Sequence, residues 1–298
     1  MFSFRAMGTD VVVAAPALDP TEEERLALEV ARLFEAEEGR FSRFRDDSEL
    51  SRVHRMSGDV KVSGELLAAL RRARSYVELT DGIFDPSIGA ALLACGYDRS
   101  FAPGALDREI GATSVPAAHF DELQIDEATA TISLPPGLRL DLGGMIKGHT
   151  CDRAAALLPS IGFVDAGGDA VMRGAGPEGD GWIIEIEDPR DATGVLVSLR
   201  VRDCAVATSA PNRRRWMIGG VVAHHLIDPR TRRPAISDVE QATVLAPSAE
   251  LAEVLAKTAL VVGGPEARGV LERSGTCGVL VRRGGAFELV GNVEVVDA

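Results

Sequence analysis

Apolar residues along this 298-residue chain are spaced for strands in some stretches and for helices in others, and the two do not alternate regularly. That patterning constrains the fold more than any single residue does. A regular βαβ array would put a helical period after every strand run, whereas an irregular mixture gathers helices onto strands, the α+β arrangement. Residues 11–14 read as a short apolar strand. Thr21-Glu22-Glu23-Glu24 reads as a capping box, the Thr hydroxyl taking the N3 amide while Glu24 reaches back. Leu26, Val30, Leu33 and Phe34 follow at helical spacing. Ser63 opens a second helix with Leu66, Leu67, Leu70, Ala73 and Val77 on one face, and Asp81-Gly82 closes it, where Gly takes the left-handed cap.

The middle of the chain changes character. Residues 123–125, 129–134 and 138–142 are predicted strands, and a helix is predicted over 146–158. From 164 to 244 the pattern is mostly strand, including 182–186 and 195–201. Ser248 caps a further helix bearing Leu251, Leu255, Thr258 and Val262, and strands at 278–281 and 287–290 close the chain. No internal repeat or Pro-rich linker interrupts the pattern. A two-lobed layout is expected, with a boundary near 105–120, where Ala102-Pro103-Gly104 and Val115-Pro116 break it.

Apolar residues make up 46% of the chain, ample for a buried core and too many for disorder. Forty-five acidic against 32 basic residues give a net charge of −13, which argues against a general nucleic-acid binder. It leaves room for a local basic pocket. Neither a signal-peptide pattern nor a run of about 20 apolar residues is present, so the chain as given reads as cytoplasmic. Cys95, Cys151, Cys204 and Cys277 lie too far apart for a zinc motif and read as buried thiols.

Glycine and short polar residues cluster in four places. In Asp141-Leu142-Gly143-Gly144-Met145-Ile146-Lys147-Gly148, a strand runs into paired glycines and a lysine at the head of a helix. This is either a phosphate site or a glycine-rich turn with a surface lysine, and the Walker A spacing is absent. Asp165-Ala166-Gly167-Gly168-Asp169 is a second tight turn, equally a ligand contact or a plain connection. Ala207-Thr208-Ser209-Ala210 offers two hydroxyls before Arg213-Arg214-Arg215-Trp216. Finally, His224-His225-Leu226-Ile227-Asp228-Pro229-Arg230-Thr231 ends a β run in a turn, where Asp228 can accept a local hydrogen bond. His54, His119 and His149 lack such company and read as surface or packing residues.

In order along the chain, these clusters resemble the ApbE family of flavin transferases. The resemblance begins at Met7-Gly8-Thr9. It continues through Phe41-Ser42-Arg43-Phe44, Ser48-Glu49-Leu50, Phe84-Asp85-Pro86-Ser87-Ile88-Gly89, Asp141-Leu142-Gly143-Gly144 with Lys147-Gly148, and Gly167-Gly168-Asp169. Ala207-Thr208-Ser209 and His225-Leu226-Ile227-Asp228-Pro229-Arg230-Thr231 complete it. It implies one domain over 1–298, a two-lobed α+β architecture related to the T-fold, with mixed sheets, packed helices and a cleft between lobes. It also implies a reaction: a Ser or Thr hydroxyl of a target protein takes FMN from FAD through a phosphodiester bond, and AMP leaves. The implied catalytic residues are His225, as the base, and Asp228. The implied FAD contacts are Met7, Phe44, Asp141, Lys147, Thr208, Ser209 and Ile227, with Phe44 packing on a ring of FAD or simply within the core. The implied partners are FAD and a flavin-acceptor protein, with neither nucleic acid nor membrane.

The resemblance also implies Mg²⁺, with Gly144 (through its carbonyl) and Glu253 as ligands. Here the chain departs from the family pattern. Glu253 replaces an Asp, Lys257 stands where a second oxygen ligand is usual, and the Thr-Gly of the His turn has become Thr231-Arg232. Glu253 and Lys257 are then an exposed ion pair, or a lysine supplying charge that a metal would bring, or a site altered through Thr258. Two other functions remain open at this point: an FAD pyrophosphatase giving FMN and AMP, and an FAD-binding protein without catalysis.

Overall fold

The computed structural model describes residues 1–100, 107–108, 118–218 and 220–296. The chain divides into two compact units. One comprises Met1–Glu35, Lys147–Ala210 and Ser237–Ala298, and the other Ala36–Ile146 with Pro211–Ile236. Most of the expected 105–120 boundary lies outside the described residues. The chain passes between units at 35/36, 146/147, 210/211 and 236/237 instead, because the first unit draws one sheet from three separated stretches.

That sheet has eight strands: β1 (Phe2–Ala6), β2 (Thr9–Ala14), β3 (Gly162–Ala166), β4 (Asp169–Arg173), β5 (Cys204–Ser209), β6 (Val239–Ala246), β7 (Cys277–Arg282) and β8 (Phe287–Val290). They lie side by side in chain order and every neighbouring pair is antiparallel. Alternation along each strand gives the sheet two apolar faces. On one, Val11, Val13, Val164, Ala166 and Ala205 pack with Leu26, Val30 and Phe34 of helix α1 (Pro20–Phe41) and with Cys151 and Ala154 of helix α2 (Ile146–Ala155). On the other, Met172, Val206, Leu245, Val279 and Val281 meet Ile186, Leu199 and Val201. These last come from a small antiparallel sheet of Trp182–Asp188, Asp191–Val201 and Glu294–Val296. Two more helices follow, α3 (Ala249–Val262) and α4 (Gly264–Ser274).

The second unit holds the helix Gly64–Leu79, capped by Ser63 as expected, whose Oγ accepts from Leu66 N. Its strands are short: Asp59–Lys61, Thr131–Ser133 and Gln124–Asp126 form one sheet, and Arg215–Ile218 pairs with Val221–His224. Among the described residues no helix is long and apolar enough to cross a membrane.

Three local expectations are corrected. Helix α1 starts two residues earlier than the Thr21 box implied: Asp19 Oδ1 accepts from Thr21 N and Glu22 N, both at 2.9 Å. Pro20 takes the first helical position, where a missing N–H costs nothing. Residues 138–142 are not a strand beyond one bridge, Ile88 to Arg139. Their backbone groups go to separate partners instead: Arg139 O accepts from Gly89 N, Leu140 N donates to the His54 ring, and Asp141 N donates to Pro86 O. Helix α3 is buried on nearly all sides, Glu253 included, rather than along one stripe. Its composition, apolar all round save for Glu250, Glu253, Lys257 and Thr258, is that of an interior helix.

Candidate active site

In the first unit, three of the sequence clusters meet at one end of the eight-stranded sheet. Met7 and Gly8, with φ of 50° and 73°, form the tight turn between β1 and β2. Beside it lies the Gly167-Gly168 turn between β3 and β4, also at positive φ. Any side chain at 167 would run into Thr9, whose Oγ1 lies 2.0 Å from where a Cβ would be. Thr208 N donates to Gly168 O at 3.1 Å, and Thr208 Oγ1 shares a hydrogen bond with Thr243 Oγ1 at 2.9 Å. Ser209 follows at the end of β5.

Lys147, in the first turn of α2, forms an ion pair with Asp169, whose side chain is 2% exposed. A buried carboxylate holding an ammonium fixes that charge in place. Asp165 lies in the same turn and accepts from Gly168 N at 2.8 Å. Burial pushes its carboxyl above the usual range, against the opposing pull of the Gly168 amide and the Lys147 charge. The result is a cation and open-backbone glycine turns at one sheet end, a setting suited to an anion.

Glu253 takes a different part from the one expected. Its Oε2 accepts from Gly148 N at 2.9 Å, satisfying one of the orphan amides in the first turn of α2. Gly148 itself packs so closely on α3 that an added Cβ would lie 2.4 Å from Ala249 O. Among the described residues no group of three or more His, Cys, Asp or Glu side chains is placed to hold a metal. A single carboxylate with one oxygen committed to an amide, one helical turn from Lys257, is a poor donor set for Mg²⁺, which takes hard oxygens in octahedral geometry.

In the second unit, the His turn sits against an aromatic cluster. Tyr97 stacks on Trp216 with ring centroids 5.2 Å apart, and meets the Phe44 ring at 5.3 Å and the His225 ring at 6.4 Å, both edge-on. Phe44, Trp216 and Ile227 belong to one buried apolar cluster with Ile88 and Leu92. His225 Nδ1 lies 3.3 Å from Arg214 O. With Nδ1–H donating to that carbonyl, the lone pair falls on Nε2. His224 faces the other way, its Nε2 3.1 Å from Ala235 O, and burial lowers its pKa. His224 ends the strand Val221–His224 and His225 lies in the bend after it, so the two rings meet different partners.

Asp228 holds the turn. Its carboxylate accepts from Arg230 N, Nε and Nη2, each at 2.9 Å. Desolvation raises its pKa, but the Arg230 side-chain and backbone bonds outweigh that and lower it overall. The oxygen orienting His225 belongs to Arg214. Arg232, in place of a glycine, takes φ 57° and donates from its guanidinium to Ala118 O at 2.9 Å and Ser87 O at 3.3 Å. Those bonds offset the strain of a left-handed non-glycine residue.

Asp141 is fixed from several directions. Its Oδ1 accepts from Gly143 N at 2.8 Å, its Oδ2 pairs with Arg43 Nε, and its own N–H donates to Pro86 O. Gly144 is buried in the turn that leads into α2. One residue taken for a bystander matters here: His54 Nε2 accepts from Leu140 N at 3.0 Å, and His54 O accepts from Arg139 Nη1 at 2.8 Å. Burial, followed by the Arg139 charge, pushes the His54 pKa down to about 4. Arg43, Tyr97, Trp216 and Asp169 are the other residues that sequence reading did not assign. Arg43 and Asp169 lie inside recognised motifs; Tyr97 carries no local signal, and Trp216 carries only its place after three arginines.

A model of the ApbE family matches residues 7–281. The chain belongs to the ApbE family. Two ApbE relatives, both named FAD:protein FMN transferase, come from Treponema pallidum and Vibrio cholerae. The first is 33% identical over 279 residues, covering 86% of this chain and 77% of its own. The second is 32% identical over 260 residues, covering 84% and 77%. Among solved ApbE structures, the protein from Thermotoga maritima superposes with a TM-score of 0.85 at 27% identity, covering 97% of this chain and 96% of that one. The flavin transferase ApbE from Vibrio cholerae gives 0.80 at 25% identity, covering 98% and 96%.

Proposed function

We propose that this chain transfers FMN from FAD to a Ser or Thr hydroxyl of a target protein. The observation that carries the reading is the setting of His225 in a chain of this family: Nδ1 lies against a backbone carbonyl, which makes Nε2 the basic nitrogen of the ring. The acceptor oxygen attacks the phosphorus of the FMN half. The bond from that phosphorus to the bridging oxygen breaks, and AMP leaves with the bridging oxygen. The hydroxyl proton passes to His225 Nε2, which makes a weak nucleophile competent. Asp228 contributes by holding the turn that carries His225.

Negative charge on the phosphate oxygens rises in the transition state. Lys147, fixed by Asp169, with Thr208 and Ser209 beside the glycine turns, supplies a cation and donors for it. Met7 lies in the neighbouring turn. Phe44, Asp141 and Ile227 are proposed nucleotide contacts. Glu253, with one oxygen committed to the Gly148 amide, fits Mg²⁺ poorly, so every step rests on the chain's own groups.

Incubation with FAD and an acceptor domain bearing a Ser or Thr tests the reading. Covalent flavin fluorescence on the acceptor in a denaturing gel supports it. Release of free FMN and AMP indicates hydrolysis instead, and unchanged FAD indicates binding alone.

A further inference from the structure

The Arg43 side chain is 8% exposed, and two of its three nitrogens are already engaged. Its Nε pairs with Asp141 and its Nη1 donates to Tyr97 O at 2.7 Å. The guanidinium plane lies over the Phe44 ring at 4.0 Å and the Tyr97 ring at 4.6 Å. Its remaining nitrogen, Nη2, is buried and has no hydrogen-bond partner among the described residues. Folding leaves such groups unmet rarely, since an unsatisfied buried donor costs about 1–3 kcal/mol and a charged one more. Nothing in the packing of Arg43 requires that cost: Asp141 already balances the charge, and the Phe44 and Tyr97 rings already pack against the guanidinium.

We propose that Arg43 Nη2 is a specificity donor for the bound nucleotide. It donates to a neutral acceptor, a carbonyl oxygen or ring nitrogen, on the edge of a flat heterocycle. Nη2 belongs to a guanidinium packed among aromatic rings, a setting that suits an uncharged acceptor on the edge of a flat ring. The surroundings favour the same ligand chemistry. Phe44 is the partly exposed ring beside the guanidinium, backed by the buried Tyr97 and Trp216, and a flat ring packs against it better than a phosphate does. The inference rests on FAD being the substrate, and either the isoalloxazine or the adenine carries the required acceptor.

The test is calorimetric titration of wild type and Arg43→Lys with FAD, riboflavin, adenosine and inorganic pyrophosphate. Lysine keeps a cation for Asp141 and removes Nη2. The expected result is a rise of about tenfold or more in Kd for FAD, matched by a similar rise for one nucleoside and no change for pyrophosphate. A riboflavin effect places the contact on the isoalloxazine, and an adenosine effect places it on the adenine. Unchanged affinities overturn the inference, as does a loss seen with pyrophosphate. If Arg43→Lys does not fold, arginine side-chain ¹⁵N resonances of the wild type decide. A shifted Arg43 signal on adding riboflavin or adenosine supports the donor, and no shift with either overturns it. A wild type that binds no FAD sinks the proposed function; one that binds FAD without involving Arg43 sinks only this inference.

Discussion

Glu253 and Asp152 cap each other's helices. Glu253, on α3, accepts from Gly148 N in the first turn of α2 at 2.9 Å. Asp152, on α2, accepts from Ala249 N at 2.7 Å and Glu250 N at 3.0 Å, the first two amides of α3. Each helix thereby has orphan donors met by a carboxylate of the other, and each carboxylate lies at a positive helix end. The exchange fixes the start of α2, and with it Lys147.

Removing either cap should destabilise the protein by about 1–3 kcal/mol, because buried amides lose their acceptor. Asp152→Ala and Glu253→Ala are expected to lower the urea midpoint. Glu253→Gln, which keeps an amide oxygen, should recover most of the loss. Gly148→Ala should be worse than either, since its Cβ would meet backbone atoms of α3. Adding Mg²⁺ to the FAD-free protein should leave its melting temperature unchanged; an Mg²⁺-dependent rise would show a metal site of substance on Glu253.

His225→Ala should lower flavin transfer by about 10²- to 10⁴-fold while FAD affinity changes little, as expected for loss of a general base. His224→Ala should leave transfer within a few-fold of wild type, since that ring faces Ala235. Wild-type turnover in His225→Ala removes the residue from the mechanism.

FAD should bind more tightly than FMN, and FMN more tightly than riboflavin, because the Lys147–Asp169 pair and the glycine turns favour phosphates. Asp169→Asn frees Lys147 from its fixed position and should weaken FAD and FMN while leaving riboflavin unchanged. Equal effects on all three flavins would take Lys147 out of phosphate binding.

Stability should fall on acidification through the His54 window. The folded pKa is about 4 against 6.5 for the free side chain, so below pH 6.5 the unfolded chain binds a proton that the folded chain refuses. Stabilisation is complete above pH 6.5, declines as pH drops toward 4, and levels off below it. From pH 7 to pH 5 the loss is about 2 kcal/mol by linkage. His54→Gln keeps an acceptor for Leu140 N and does not titrate. Denaturation of the two proteins at pH 7 and pH 5 should show a larger drop in the wild type, by about 2 kcal/mol, the remainder coming from groups such as His224 that both proteins share; equal drops would rule out His54 as a source.

Much of this protein is local and was therefore legible. Ser63 and Ser248 cap the helices that follow them because a side-chain oxygen three residues before an amide is a short-range relation. The two glycine-bearing clusters could be found in the sequence because positive φ at Gly167 and Gly168 and close approach at Gly148 demand glycine. Tertiary structure decided where the freed polar groups went. Asp19 rather than Thr21 starts α1, because Pro20 made the earlier start free of penalty. Residues 138–142 look like a strand, but His54, Pro86 and Gly89 took their backbone bonds from up to 86 residues away. Spacing put Glu253 and Lys257 on one face of α3. Whether that face met solvent, a metal or a neighbouring helix depended on Gly148, 105 residues distant, whose missing side chain lets the two helices close and exchange caps. Hydrogen-bond partners at such separations are chosen by packing, and no periodicity in the sequence encodes them.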